Sequence, residues 1–251
     1  MLVYGDNIWA LENIEREIEE FKEIYDNRPI IDNRGGMSST HLFWSWYAMK
    51  TLKPQYIIES GVWKGQGTWL FEKACPNAQI FSIDINLNHR EYISERVKYF
   101  SIDFSCIDWS FIKDKEKTVI FFDDHQNAYD RLMQMKFMGF QQALFEDNYP
   151  ETEGDCYSLK KVLLGVGFEE TDKIIIPPNH AHSMYFKENV NTYFEFPPIY
   201  KTDHVRWGGV WDDVHYPTRK PILDKVDTEM QKILYAESKD YTWICFCKLR
   251  G

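Results

Sequence analysis

Two groups of residues in this 251-residue chain have types and spacings that could do chemistry. The first is Glu59-Ser60-Gly61-Val62-Trp63-Lys64-Gly65-Gln66-Gly67, which follows the apolar run Tyr56-Ile57-Ile58. Glycines let a backbone pass close to a ligand, and a helix that starts there offers free N–H groups and a positive dipole end. By itself the same pattern also makes a plain tight turn. The second group is Asp123-Asp124-His125 with Glu146-Asp147-Asn148, each closing an apolar run. Grouped carboxylate and amide oxygens suit a hard divalent cation. The same residue types are also common helix N-caps. Asp84 and Asp103 end two more apolar runs. A carboxylate at such a point can accept two hydrogen bonds from a vicinal diol, or it can be a solvated loop residue.

The elements that must position these residues follow from periodicity. Ile8, Leu11, Ile14, Ile18, Phe21 and Tyr25 predict an amphipathic helix over 8–25, ended by Pro29. Gly35-Gly36 forms a joint, and Ser38 or Ser39 caps a second helix to Leu52. Strands are then expected at Tyr56–Glu59, Gln79–Asp84, Tyr99–Asp103, Thr118–Asp123 and Gln142–Glu146. Helices are expected at Thr68–Ala74, Glu91–Val97, Ala128–Met138 and Tyr157–Leu164. A further strand reads from Phe168 to Ile176, and the last from Tyr241 to Leu249. Apolar strands alternating with helices predict an α/β fold with a mostly parallel central sheet covered on both faces. Ligands of such sheets bind beyond the carboxyl ends of the strands, where the acidic residues stand.

Composition narrows the function classes. Lys plus Arg is 29 and Asp plus Glu is 39, a net charge of −10, which argues against sequence-independent nucleic-acid binding. No apolar run approaches a membrane span, and the start of the chain lacks a signal-peptide pattern. The five cysteines (Cys75, Cys106, Cys156, Cys245, Cys247) form no CxxC pair. Reduced thiols and a cytoplasmic location are the expectation. Cys245 and Cys247 should share one face of the last strand.

Glu59-x-Gly61-x-Trp63-x-Gly65-x-Gly67 resembles the first motif of class I S-adenosylmethionine (SAM)-dependent methyltransferases, and most of all their catechol O-methyltransferase branch. The resemblance implies a Rossmann-like fold and a cofactor site at Glu59, Gly61, Trp63 and Gly65. It also implies Asp84 on the ribose hydroxyls, with Asp103 and His125 beside the adenine. It further implies Mg²⁺ or Mn²⁺ on Asp124, Asp147 and Asn148. That branch has a lysine base three positions after its first metal aspartate, where this chain has Asn127. Asp123, Asp124 and His125 are then the candidate catalytic groups, with His180, His182, His204 and His215 as more distant ones.

The chain is expected to be one domain, 1–251. Within it, 1–53 is a helical segment, 54–176 with 241–251 a cofactor-binding core, and 177–240 an acceptor-binding insertion. The insertion mixes Trp207 and Trp211 with Asp203, Asp212 and Asp213. Aromatic faces beside carboxylates suit a sugar ring, and the chain also resembles macrocin O-methyltransferases, which methylate sugar hydroxyls. A sugar or glycan hydroxyl is therefore the expected acceptor, with methyl transfer by in-line displacement. The same aromatics equally suit core or a homo-oligomer interface. Two rival readings remain. An NAD(P)-dependent oxidoreductase would need GxGxxG where this chain reads GxxxGxG, and a non-catalytic cofactor-binding protein would be consistent with Asn127.

Overall fold

The computed structural model describes residues 8–151, 153–170, 173–201, 204–205, 219–224, 232, 234, 240–241 and 243–251. After a short 3₁₀ turn, α1 (Ile14–Tyr25) and α2 (Ser39–Leu52) lead into an alternating series. It runs β1 (Tyr56–Ser60), α3 (Gln66–Ala74), β2 (Gln79–Ile83), β3 (Val97–Phe100), β4 (Thr118–Phe122), α4 (Ala128–Met138), β5 (Gln142–Phe145) and α5 (Leu159–Leu164). There follow β6 (Phe168–Glu170), β7 (Lys173–Ile176), α6 (His180–Asn189), β8 (Val190–Glu195), β9 (His204–Val205), β10 (Asp240–Tyr241) and β11 (Cys245–Leu249). Seven strands form one sheet in the order β3-β2-β1-β4-β5-β11-β8. The first five are parallel, and β11 runs antiparallel to both β5 and β8.

Side chains alternate across a strand, and that parity divides the core in two. Ile57, Ile80, Phe121, Leu144 and Phe246 face α1, α2 and α3. Ile58, Phe81, Phe122, Phe145, Cys245 and Cys247 face α4, α5 and α6. The α2 helix lies between α1 and the sheet and is buried from Ser39 to Met49. Its Phe43 and Trp46 pack on Phe21 of α1, with ring centroids 5.5 and 5.6 Å away. All five cysteines are free thiols, and Cys245 and Cys247 share a face as expected. Among the described residues, no helix is long and apolar enough to cross a membrane.

Three expectations differ from the structure. Residues 91–96 form no helix: the Glu91 and Tyr92 N–H groups donate to Lys64 O (2.9 and 3.0 Å), and Tyr92 and Ser94 hydroxyls donate to Glu72 (2.7 and 2.8 Å). Their backbone is spent on bracing the glycine turn and α3, and β3 begins already at Val97. The stretch 168–176 is a two-stranded antiparallel hairpin outside the main sheet, because its middle, Glu169-Glu170-Thr171-Asp172, is polar. Lastly, the segment set apart as 177–240 begins with α6 and β8, and β8 closes the sheet beside β11.

Glu59 shows how β1, α3 and β2 are joined. It is 1% exposed, and its Oε2 accepts from the hydroxyls of Thr68 and Ser82, both at 2.5 Å. Burial pushes its carboxyl up to about 7, against the pull of those two hydroxyls. A carboxyl raised on folding adds stability at low pH that fades as pH rises from about 4.5 to 7. The loss amounts to roughly 1.4 kcal/mol per pH unit over that interval. Glu59→Gln keeps an acceptor and removes the titration. Urea midpoints of both proteins should therefore diverge, the variant gaining about 2–3 kcal/mol on wild type between pH 5 and pH 8. An equal difference at both pH values would mean that folded Glu59 titrates like a solvated glutamate.

Candidate active site

The strand order reverses at β1, which has β2 on one side and β4 on the other. A crevice opens at such a point beyond the strand ends. Gly61 leaves β1 at φ +99°, and a Cβ there would lie 1.9 Å from the carbonyl oxygen of Asp123, which follows β4. Gly65, also at positive φ, would place a Cβ 2.6 Å from Tyr92 O. Trp63 adopts a left-handed φ of 47° without being glycine. Asp84 holds it there: its Oδ2 accepts the N–H groups of Val62 (3.0 Å) and Trp63 (3.2 Å), and its Oδ1 that of Asn86 (2.8 Å). Asp84 thus anchors the glycine turn and also lines the cleft.

The cleft has a volume of about 240 Å³ and is lined by Gly61, Trp63, Asp84, Asp103, Asp123 and His125, among others. Ile85 and Ile102 give it an apolar edge. Its floor is organised by Arg131 of α4, 4% exposed. The guanidinium donates to both oxygens of Asp103 (3.0 and 2.6 Å) and meets Asp124 Oδ2 at 2.9 Å. Asp103 is held well below the usual carboxylate range by this pairing. Asp124 Oδ2 also accepts from Ser60 Oγ at 2.6 Å.

Asp123, His125 and Asp147 come together beside this floor. Each offers one ligand atom, and these atoms lie within 4.8 Å of one another. Burial and the charges of neighbouring carboxylates, Glu146 first, push both aspartates well above their ordinary range. Asp147 is 7% exposed, and its buried Oδ1 has no hydrogen-bond partner. His125 stands at φ 52°, its Nδ1 at 3.2 Å from Asp155 Oδ1 and 3.5 Å from Asp147 Oδ2. The hydrogen bond to Asp155 and the charge of Asp147 raise it to about 9, so it is an imidazolium at neutral pH. Crowded carboxylates with one buried orphan oxygen form a donor set that fits Mg²⁺ or Mn²⁺.

Of the expected ligands Asp124, Asp147 and Asn148, Asp147 is in this cluster, while Asp124 and Asn148 have partners elsewhere. Pleat parity gives the reason. Asp124 falls on the Phe122 side of the sheet, where α4 presents Arg131. Asn148 is fully buried, its Oδ1 accepting from Lys160 N (2.9 Å) and its Nδ2 donating to Tyr193 OH (2.8 Å). Asn127, at the position of the expected lysine, caps α4 by accepting from Tyr129 N and Asp130 N. Glu59 lies under the turn and does not line the cleft. His182 stacks on Tyr129, ring centroids 3.9 Å apart, away from the cleft residues. His215, Trp207, Trp211, Asp203, Asp212 and Asp213 lie outside the described residues. Sequence reasoning missed Arg131 and also His41, which pairs with Glu146. Arg131 had a legible signal, one turn into a helix that starts beside Asp124; His41 had none.

No protein-family model matches the sequence, and no curated protein matches it. Solved structures do. A candidate O-methyltransferase from Klebsiella pneumoniae aligns with 98% of this chain and 91% of its own at 10% identity, with a TM-score of 0.50. The O-methyltransferase from Bacillus cereus in complex with SAH aligns with 94% of this chain and 91% of its own at 13% identity, with a TM-score of 0.49. The apo structure of CmcI-N160 shares 18% identity over 42% of this chain, with a TM-score of 0.34, and the aligned part spans about half (52%) of that protein. At such identities a likeness speaks for the fold, and the fold of this chain is the Rossmann-like one of class I methyltransferases.

Proposed function

We propose that this chain is a SAM-dependent, divalent-metal-dependent O-methyltransferase whose acceptor is a sugar or glycan hydroxyl. One observation carries the reading: the cleft at the switch point and the cation-capable cluster share Asp123 and His125. A cofactor in the first and a cation in the second would then meet along one wall.

Bound SAM supplies an electrophilic methyl group, and a bound cation lowers the pKa of the acceptor hydroxyl. This chain's residues supply the alignment of oxygen, carbon and sulfur. The Gly61–Gly67 turn and Asp84 hold the ribose end of the cofactor. Asp103 and Arg131 fix the opposite wall, with Ile85 and Ile102 against the base. Asp123 and Asp147 would hold the cation, with His125 in its neutral form as the third residue of the cluster, since ligands bind metal deprotonated. The sugar assignment draws its support from the sequence of the insertion, where Trp207 and Trp211 stand among Asp203, Asp212 and Asp213.

Calorimetric titration tests the cofactor. SAM should bind with roughly micromolar affinity, and NADH should neither bind nor compete. Asp84→Ala removes the ribose acceptor and unpins the turn, weakening SAM by about 1.5–3 kcal/mol, as for a hydrogen bond to a charged group. Equal binding by the variant would remove Asp84 from the cofactor site.

The cation is tested by chelation. Turnover should stop in excess chelator and return with Mg²⁺. Asp123→Ala and Asp147→Ala should lose Mn²⁺ binding and turnover while SAM still binds. Asp124→Ala should keep Mn²⁺ binding, because its carboxylate serves Arg131 and Ser60. Full activity in chelator, or loss of Mn²⁺ from Asp124→Ala alone, would contradict the assignment.

Acceptor recognition by the insertion predicts a split in the kinetics. Trp207→Ala or Trp211→Ala should raise the KM for a sugar acceptor and leave SAM affinity intact. The reverse result would make these residues scaffold or cofactor contacts.

A further inference from the structure

Beside the cation cluster stands a pair of side chains that the proposed chemistry does not use. Glu146 follows β5, and by the alternation it turns toward the face covered by α2. There its Oε1 meets Nδ1 of His41. Glu146 is 4% exposed and His41 3%. With a carboxylate as partner, Nδ1 carries the hydrogen and donates it. His41 Nε2 is buried and has no partner, so the ring has no other polar contact to orient it. Glu146 adjoins Asp147 in the chain, and among neighbouring charges it acts most strongly on both Asp123 and Asp147.

We propose that His41 is a positioning residue of the cation site, holding the Glu146 carboxylate beside Asp123 and Asp147 so that its charge adds to theirs. This rests on reading the cluster as a cation site. Three carboxylates in one partly desolvated place repel one another, and a dication there gains from each of them. That gain requires Glu146 to stay where it is. Without His41, one buried oxygen of this carboxylate would lose its N–H donor, the group would shift, and its contribution would fall with distance. The N-terminal helix α2 therefore belongs to the site without offering a ligand. It does what outer hydrogen-bond partners do around metal ligands in general.

The test is Mn²⁺ binding to the full chain, followed by calorimetry and by the paramagnetic resonance of free Mn²⁺. His41→Leu should weaken Mn²⁺ by roughly 10–100-fold, the usual effect of losing an outer partner. His41→Asn, whose amide N–H can stand where Nδ1 stands, should recover most of that loss. SAM affinity measured without metal should be the same in both variants and in wild type. A folded His41→Leu that binds Mn²⁺ as tightly as wild type would overturn the proposal, as would equal losses in His41→Leu and His41→Asn. Should His41→Leu fail to fold, Glu146→Gln decides: it keeps an acceptor for His41 and loses the charge. Wild-type Mn²⁺ affinity in Glu146→Gln would likewise overturn it. If wild type itself binds no Mn²⁺, the cation reading falls and this inference with it; if only the variants behave like wild type, the role of His41 falls alone.

Discussion

Everything at the site depends on how closely two backbone segments pass. The chain leaves β1 at Gly61 against the carbonyl of Asp123 leaving β4, with no room between them for a single carbon. A Cβ 1.9 Å from a carbonyl oxygen cannot be relieved by a rotamer, because both partners are main chain. The φ of +99° independently disfavours any side chain. This contact brings the ends of β1 and β4 together so that one cleft can be lined from both. Asp84 extends the arrangement across to β2 by gathering the N–H groups of Val62 and Trp63. The same carboxylate that faces the cleft thus shapes its wall.

A chain with a net charge of −10 gathers acidic residues around this point, and each is stabilised differently. Asp103 and Asp124 share Arg131. Glu59 is met by two hydroxyls and holds its proton to near neutral pH. Glu146 has His41. Asp123 and Asp147 have the thinnest provision, an exposed imidazolium held chiefly by Asp155. The sheet's pleat decides this division. Glu59 and Glu146 fall on the side of α2 and α3, Ser60 and Asp124 on the side of α4. The cation-capable pair is what remains after the helices on both faces have satisfied the carboxylates they can reach.

The central alternation of strands and helices was legible because the strands are mostly apolar runs, and the glycine pattern marked the turn that follows β1. What was not legible has physical causes. Glu91–Val97 has helix-compatible residues, yet Lys64 O and Glu72 claim its donors, a tertiary demand that no local pattern shows. The hairpin at 168–176 hides in a run whose flanks are apolar. At the site, the acidic residues at both strand ends were legible, but not that Asp123 would join His125 and Asp147 while Asp124 joins Arg131. Choosing between Asp123 and Asp124 requires the pleat parity relative to α4, and parity is set by where the strand stops.

Asn127 and Asn148 show why residue type could not settle the rest. Each follows an acidic step beyond a strand end, as a ligand or a cap would. Asn127 gives its oxygen to the first N–H groups of α4, and Asn148 gives its oxygen to Lys160 N and its amide to Tyr193 and Glu195. Both amide oxygens already serve the protein, that of Asn127 with two accepted N–H groups and that of Asn148 with one. Asp147 Oδ1 is of the same chemical class, is equally buried, and is unpaired. A buried oxygen without a partner is costly unless something else occupies its lone pairs. That is the physical difference between Asp147 and the two asparagines: the fold supplies donors to the amide oxygens of Asn127 and Asn148 and leaves one buried oxygen of Asp147 without one.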